Sequence, residues 1–155
     1  MTPREDVQEK TIATNRKARH DYAILETVEA GLVLRGAEVK SLRQGNASLV
    51  DGYASIKGRE VWLVGIHINP YEHGNIRDYD PIRSRKLLLH KKEIRKLYGT
   101  LNQHGLTVIP LKLYFRNGVA KVLLGVARGK KEHDKRQDIS KRDAERAIRQ
   151  RMARQ

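Results

Sequence analysis

The side chains best suited to proton transfer or metal ligation near neutral pH are six histidines: His20, His67, His73, His90, His104 and His133. They are scattered, and no metal motif joins them to one another or to a carboxylate. With no cysteine in the chain, thiolate nucleophiles, disulfides and cysteine-based zinc sites are excluded together. Asp78 and Asp80, with Glu93 as a third carboxylate, could hold a divalent ion in a nuclease-like arrangement. Asp80 has a simpler use, since it directly precedes Pro81 and reads as a helix N-cap. Neither a nucleophilic serine motif nor a phosphate-cradling glycine loop occurs. The expectation is a binding protein, not an enzyme, with no cofactor and no metal.

What it should bind follows from charge. In 155 residues, 32 Lys and Arg face 18 Asp and Glu, a net +14, which favours a polyanion because bound Lys and Arg release condensed counterions. Basic residues interleave with Tyr71, Tyr79, Tyr98 and Tyr114, a combination that suits RNA backbones and unpaired bases. Aromatic residues number only eight, so shape and phosphate recognition of a folded RNA fits better than a stacking platform for single strands. A membrane partner is disfavoured. No apolar run approaches the roughly 20 residues that span a bilayer, and the polar first ten residues carry no secretory signal. A cytoplasmic location is expected.

The charge is densest at the end of the chain. Residues 128–155 carry eleven Lys and Arg against five Asp and Glu. Good helix formers fill this stretch, Ser140 and Asp143 form a capping signature, and Glu145 precedes Arg149 at helical ion-pair spacing. Ala144, Ala147, Ile148 and Met152 make only a narrow apolar stripe. A segment of this kind is expected to be disordered or helical, becoming helical against a partner.

Elements able to position these residues come from periodicity. Residues 1–14 read as a loose N-terminus, 15–128 as one folded domain, and 129–155 as a basic tail. Residues 15–20 are a basic lead-in to a strand over 22–34 bent at Gly31. A short helix follows from Gly36 to the cap at Gly45, with Val39 and Leu42 inward and Lys40 and Arg43 outward. Residues 49–57 and 61–68 form a hairpin around Gly58, and 69–81 a long loop. Pro81 then opens a helix ending near Gly105, with Leu87, Ile94, Leu97, Tyr98 and Leu101 on its buried face and Arg83, Arg85, Lys86, Lys91, Lys92, Arg95 and Lys96 outside.

Asn117-Gly118 is the strongest turn signal in the chain. Counting outward from it pairs Phe115 with Ala120, Leu113 with Val122, Leu111 with Leu124, and Ile109 with Val126, all apolar. The opposite face pairs Tyr114 with Lys121 and Lys112 with Leu123, with Pro110 opposite Gly125, and Pro110 marks an edge or bulge. The sum is a mainly β fold of about six strands and two or three helices, read as an OB-fold-like closed antiparallel barrel. An open α+β sheet is the alternative.

Several stretches in order resemble one family. Residues 15–22 (NRKARHDY), 29–31 (EAG), 36–43 (GAEVKSLR), 85–90 (RKLLLH) and 129–136 (GKKEHDKR) are similar to small protein B, the SsrA-binding proteins. The resemblance implies an RNA-binding protein that binds the tRNA-like domain of tmRNA. It implies delivery of that RNA to stalled ribosomes for trans-translation, the tail entering the empty mRNA channel along small-subunit rRNA. It places Glu29, Leu88 and His90 on the tmRNA-contacting surface, where Lys40, Arg43, Lys86 and Lys91 can add phosphate contacts. It places Lys130, Lys131, His133, Asp134, Lys135 and Arg136 near the decoding centre. A monomer is expected when free. Composition alone also suits a structural ribosomal protein or assembly factor.

Overall fold

The computed structural model describes residues 8–71, 79–130, 143, 144 and 146–150. Along the chain the elements are β1 (Glu9–Thr14), α1 (Arg16–Asp21), β2 (Tyr22–Leu32), α2 (Gly36–Arg43), β3 (Ala47–Ser48), β4 (Tyr53–Lys57), β5 (Glu60–Val64), β6 (His67–Ile68), β7 (Arg85–Leu88), α3 (Lys91–Leu101), β8 (Leu106–Arg116) and β9 (Val119–Gly129). Residues 143, 144 and 146–150 are also helical.

The sheet grows from the β8–β9 hairpin. Asn117 and Gly118 both take positive φ, 49° and 81°, the combination a two-residue turn needs to match strand twist. From there the expected register holds through Lys112↔Leu123. At Leu111 the strand bulges, and the pairing becomes Pro110↔Leu124, Ile109↔Gly125 and Val108↔Val126. The expected Leu111–Leu124, Pro110–Gly125 and Ile109–Val126 pairs are therefore corrected by one residue. Proline has no N–H for the ladder, and the shift sends Ile109 and Leu111 to the other face, where they pack with Ala18 of α1 and with Ala127.

Seven strands pair in the order β1-β8-β9-β2-β7-β5-β4, all antiparallel, and β3 pairs with β6 apart from them. The fold is mainly β with helices, but the closed barrel is not what these pairings make. The ladder ends at β1 and β4, so the open sheet is the correct description. The sheet nevertheless curls until β4 lies beside β8, around a single large core that includes Leu42, Leu63, Ile66, Leu97, Leu113 and Val122. Close approach there depends on Gly52, where a Cβ would stand 2.6 Å from Ile66 Cγ2 and 2.7 Å from Pro110 Cγ.

Three further expectations change. Residues 9–14 are not loose; they form edge strand β1, with Asn15 anchored behind it. The Asn15 side chain donates to the carbonyls of Leu49 and Pro110 and accepts from the Ala18 N–H. Residues 16–21 are a short helix rather than an extended lead-in. The helix expected from Pro81 begins ten residues later: Asp80 caps a turn by accepting from the Ile82 N–H at 3.0 Å, residues 85–88 are a strand, and α3 starts after His90 with Glu93 closing its capping box.

The reason for that last change is Arg85. Its side chain is fully buried, where a helix exterior would have left it in water. Arg85 Nε donates to Glu38 Oε2 at 2.7 Å, and its two terminal nitrogens donate to the carbonyls of Ile66 and Pro81 at 3.1 Å each. Glu38, also buried at 1% exposure, further accepts from the Arg35 N–H at 2.8 Å and from Arg83. Burial by itself would raise the Glu38 carboxyl, but the Arg35 N–H and the two guanidiniums outweigh it and hold the pKa below its ordinary value.

Removing one member of a buried pair leaves the other charge uncompensated, so Glu38→Ala should lower the unfolding free energy by about 3–5 kcal/mol in denaturant titrations. The pair's stabilisation should be complete above pH 4.5, the ordinary carboxyl value, and be lost as pH falls through the lowered folded value. Glu38→Gln should flatten that acid limb, and an unchanged limb would refute the assignment.

Candidate nucleic-acid interface

Strand alternation sends one set of side chains into the core and the next to the opposite face of the sheet. Across β8, β9, β2, β7 and β5 the outward set is aligned by register: Tyr114 lies opposite Lys121, Lys121 opposite Gly31, and Gly31 opposite Leu88. One step along, Lys112 lies opposite Leu123 and Leu123 opposite Glu29. On the far side Lys86 lies opposite Trp62. The sheet thus brings Glu29, Lys86 and Leu88 to one outer face. Leu88 is 54% exposed and leans over Gly31, where a Cβ would meet Leu88 Cβ at 3.2 Å.

Glu29 is held from β8. The Tyr114 hydroxyl donates to it, and the Arg116 guanidinium pairs with it at 2.9 Å. Lys112 Nζ and the Arg116 guanidinium carbon lie 4.9 and 5.7 Å from the centroid of the Tyr114 ring, within cation–π range. Burial and the bond to Glu29 push the Tyr114 phenol well above its ordinary pKa, so it remains a donor at any physiological pH. Lys112 also pairs with Glu9 at 3.3 Å, and Lys86 with Glu60 at 2.9 Å.

The remaining expected residues sit elsewhere. His90 is the exposed N-cap of α3, two residues beyond Leu88, and Lys91 opens the helix beside it. Lys91, Lys92 and Arg95 are exposed and pair with no carboxylate among the described residues. Lys40 and Arg43 are exposed on α2: Lys40 Nζ stands 5.7 Å from the Tyr71 ring centroid, and Arg43 lines a groove with Lys10, Phe115 and Gly118. Lys130 is tied to α1, its N–H donating to the Asp21 carbonyl at 2.9 Å and its Nζ to the Arg19 carbonyl at 3.1 Å. Lys131, His133, Asp134, Lys135, Arg136 and Ser140 lie outside the described residues, as do His73 and Asp78.

The carboxylates weighed for metal chemistry have structural uses where they are described. Asp80 and Glu93 cap their respective turns, and no group of three or more His, Asp or Glu among the described residues could hold a metal ion. No helix among the described residues is long and apolar enough to cross a membrane. Tyr114 and Arg116 as partners of Glu29 were not evident from sequence. The hairpin register already placed Tyr114 on the outward face, but reaching Glu29 also needs the β2–β9 register, which shifts between Ile24 and Glu26.

An open antiparallel sheet with a charged outer face, an exposed basic helix and a basic C-terminal segment defines a protein that works through a broad surface. The chain belongs to the SmpB protein family, whose model matches residues 12–154. An SsrA-binding protein of Acetivibrio thermocellus is 57% identical over 145 residues, covering 94% of each chain, and that of Alkaliphilus oremlandii is 60% identical over 139 residues, covering 90% of each. A chain of the solved structure "tmRNA-SmpB: a journey to the center of the bacterial ribosome" matches at 53% identity with a TM-score of 0.65, over 83% of this chain and 87% of that one.

Because Leu88 is exposed and away from the core, Leu88→Ala should change stability by no more than about 0.5 kcal/mol. Chemical denaturation checks this; a larger loss would make Leu88 a packing residue instead of a surface one.

Proposed function

We propose that the protein binds the tRNA-like domain of tmRNA and delivers it to stalled ribosomes for trans-translation, in the cytoplasm and as a monomer when free. The observation that carries this reading is the family match through residues 12–154, which spans the sheet and the tail alike. Relatives over 90% or more of their length are SsrA-binding proteins, and the matching solved structure joins tmRNA to SmpB in the ribosome.

In this reading the work divides by position. The folded body, residues 9–130, holds the RNA through Glu29, Lys86, Leu88, His90 and Lys91, and Lys40 and Arg43 of α2 add phosphate contacts. The tail that follows it enters the mRNA channel. Lys130, Lys131, His133, Asp134, Lys135 and Arg136 act near the decoding centre against small-subunit rRNA, with His133 suited to stacking on a base. The reaction chemistry belongs to the ribosome, and the protein itself acts without a cofactor.

The test separates body from tail. A chain truncated after Lys130 should still bind a tRNA-like RNA tightly in filter or fluorescence assays, yet support no peptide tagging on ribosomes stalled without a stop codon. Loss of RNA binding on truncation would sink the division of labour, and full tagging without the tail would sink the channel role.

A further inference from the structure

The outer sheet face has an electrostatic peculiarity for a chain of net charge +14. Most of its cations are already paired with carboxylates: Lys112 with Glu9, Arg116 with Glu29, and Lys86 with Glu60, while Lys121 has no carboxylate partner among the described residues. A face whose cations are mostly paired releases few counterions on binding RNA, so it adds little of the salt-dependent affinity that unpaired Lys and Arg supply. It does hold a carboxylate in a fixed place. Glu29 receives one hydrogen bond from the Tyr114 hydroxyl and another from Arg116, and Tyr114 is itself buried, 2% exposed and flanked by Lys112 and Arg116. An ionised carboxylate offers about four acceptor positions, so two bonds leave others vacant, and the Glu29 side chain is 30% exposed on the face that carries the exposed apolar Leu88.

We propose that Tyr114 and Arg116 are positioning residues that hold Glu29 as an acceptor for RNA hydrogen-bond donors, either guanine 2-amino groups or ribose 2′-hydroxyls of unpaired loops. The face then selects among RNAs and contributes little to general attraction. The inference rests on the tmRNA-binding reading above and goes further by naming what Glu29 accepts and what holds it.

The experiment compares affinities for a tRNA-like RNA and for an unrelated hairpin of equal length. Tyr114→Phe keeps the ring and loses the donor. It should reduce the preference for the tRNA-like RNA about tenfold, with hairpin affinity and the slope of log Kd against log salt as in wild type. Glu29→Gln should lose a similar factor, and the double variant no more than either alone. An unchanged preference, an equal loss on both RNAs, or additive losses would overturn the proposal.

Replacing guanosine by inosine, or ribose by 2′-deoxyribose, in unpaired loops identifies the donor as the change that weakens wild type but not Glu29→Gln. If neither behaves so, the acceptor role fails. A wild-type chain with no preference for the tRNA-like RNA would instead refute the proposed function. Positioning would then be decided without RNA by a crystal structure of Tyr114→Phe. A displaced Glu29 carboxylate supports it, and one in its wild-type place overturns it.

Discussion

The rest of the structure depends on one buried ion pair. Glu38 on α2 and Arg85 on β7 are 47 residues apart and both out of water, and each is satisfied by further groups: the Arg35 N–H and Arg83 on one side, the Ile66 and Pro81 carbonyls on the other. A buried pair of this kind is a poor source of net stability compared with apolar packing. Its value here is geometric. It joins α2 to the start of β7 and to the turns before and after, so α2 cannot slide without stranding a charge.

That constraint sets where the exposed residues come out. With Arg85 pointing inward, alternation sends Lys86 outward, Leu87 into the core and Leu88 onto the outer face. Gly31 leaves the space over which Leu88 lies, and His90 then caps α3 at the same end of β7. The residues of that outer face thus inherit their places from a buried pair that is not itself on it. On the same face three ion pairs offset every cation but Lys121, whereas on α3 Lys91, Lys92 and Arg95 have no carboxylate partner among the described residues. Free positive charge is thereby concentrated on the helix more than on the sheet.

Much of the fold was legible from local chemistry. Asn117-Gly118 specified the turn, and the apolar alternation beside it gave Phe115–Ala120 and Leu113–Val122 correctly. Gly36 and Gly45 bracketed α2, and Gly58 the β4–β5 turn. What failed was non-local. β7 is four residues long, too short to display a period of two, and its leucines merged with the helical spacing of Ile94, Leu97 and Leu101. A buried arginine has the same letter as an exposed one, so nothing near Arg85 disclosed its partner 47 positions earlier. The bulge at Leu111 was half visible through Pro110, but its effect on register depended on Ala18 and Ala127 packing beneath it. Glu29, Leu88 and His90 were singled out by family resemblance, because an isolated Glu, Leu or His carries no signal of its own.

The bond from Lys130 back to the Asp21 and Arg19 carbonyls has a consequence in polymer terms. It makes the end of α1 the origin from which the remaining chain is paid out. Thirteen residues later the backbone is helical again at Asp143, and chain geometry keeps that residue within about 45 Å of the anchor. Covalent connection therefore keeps Arg146, Ile148 and Arg149 in the neighbourhood of α1 however dilute the protein. Moving the anchor by one strand would shift the centre of that limit without altering a single residue beyond it.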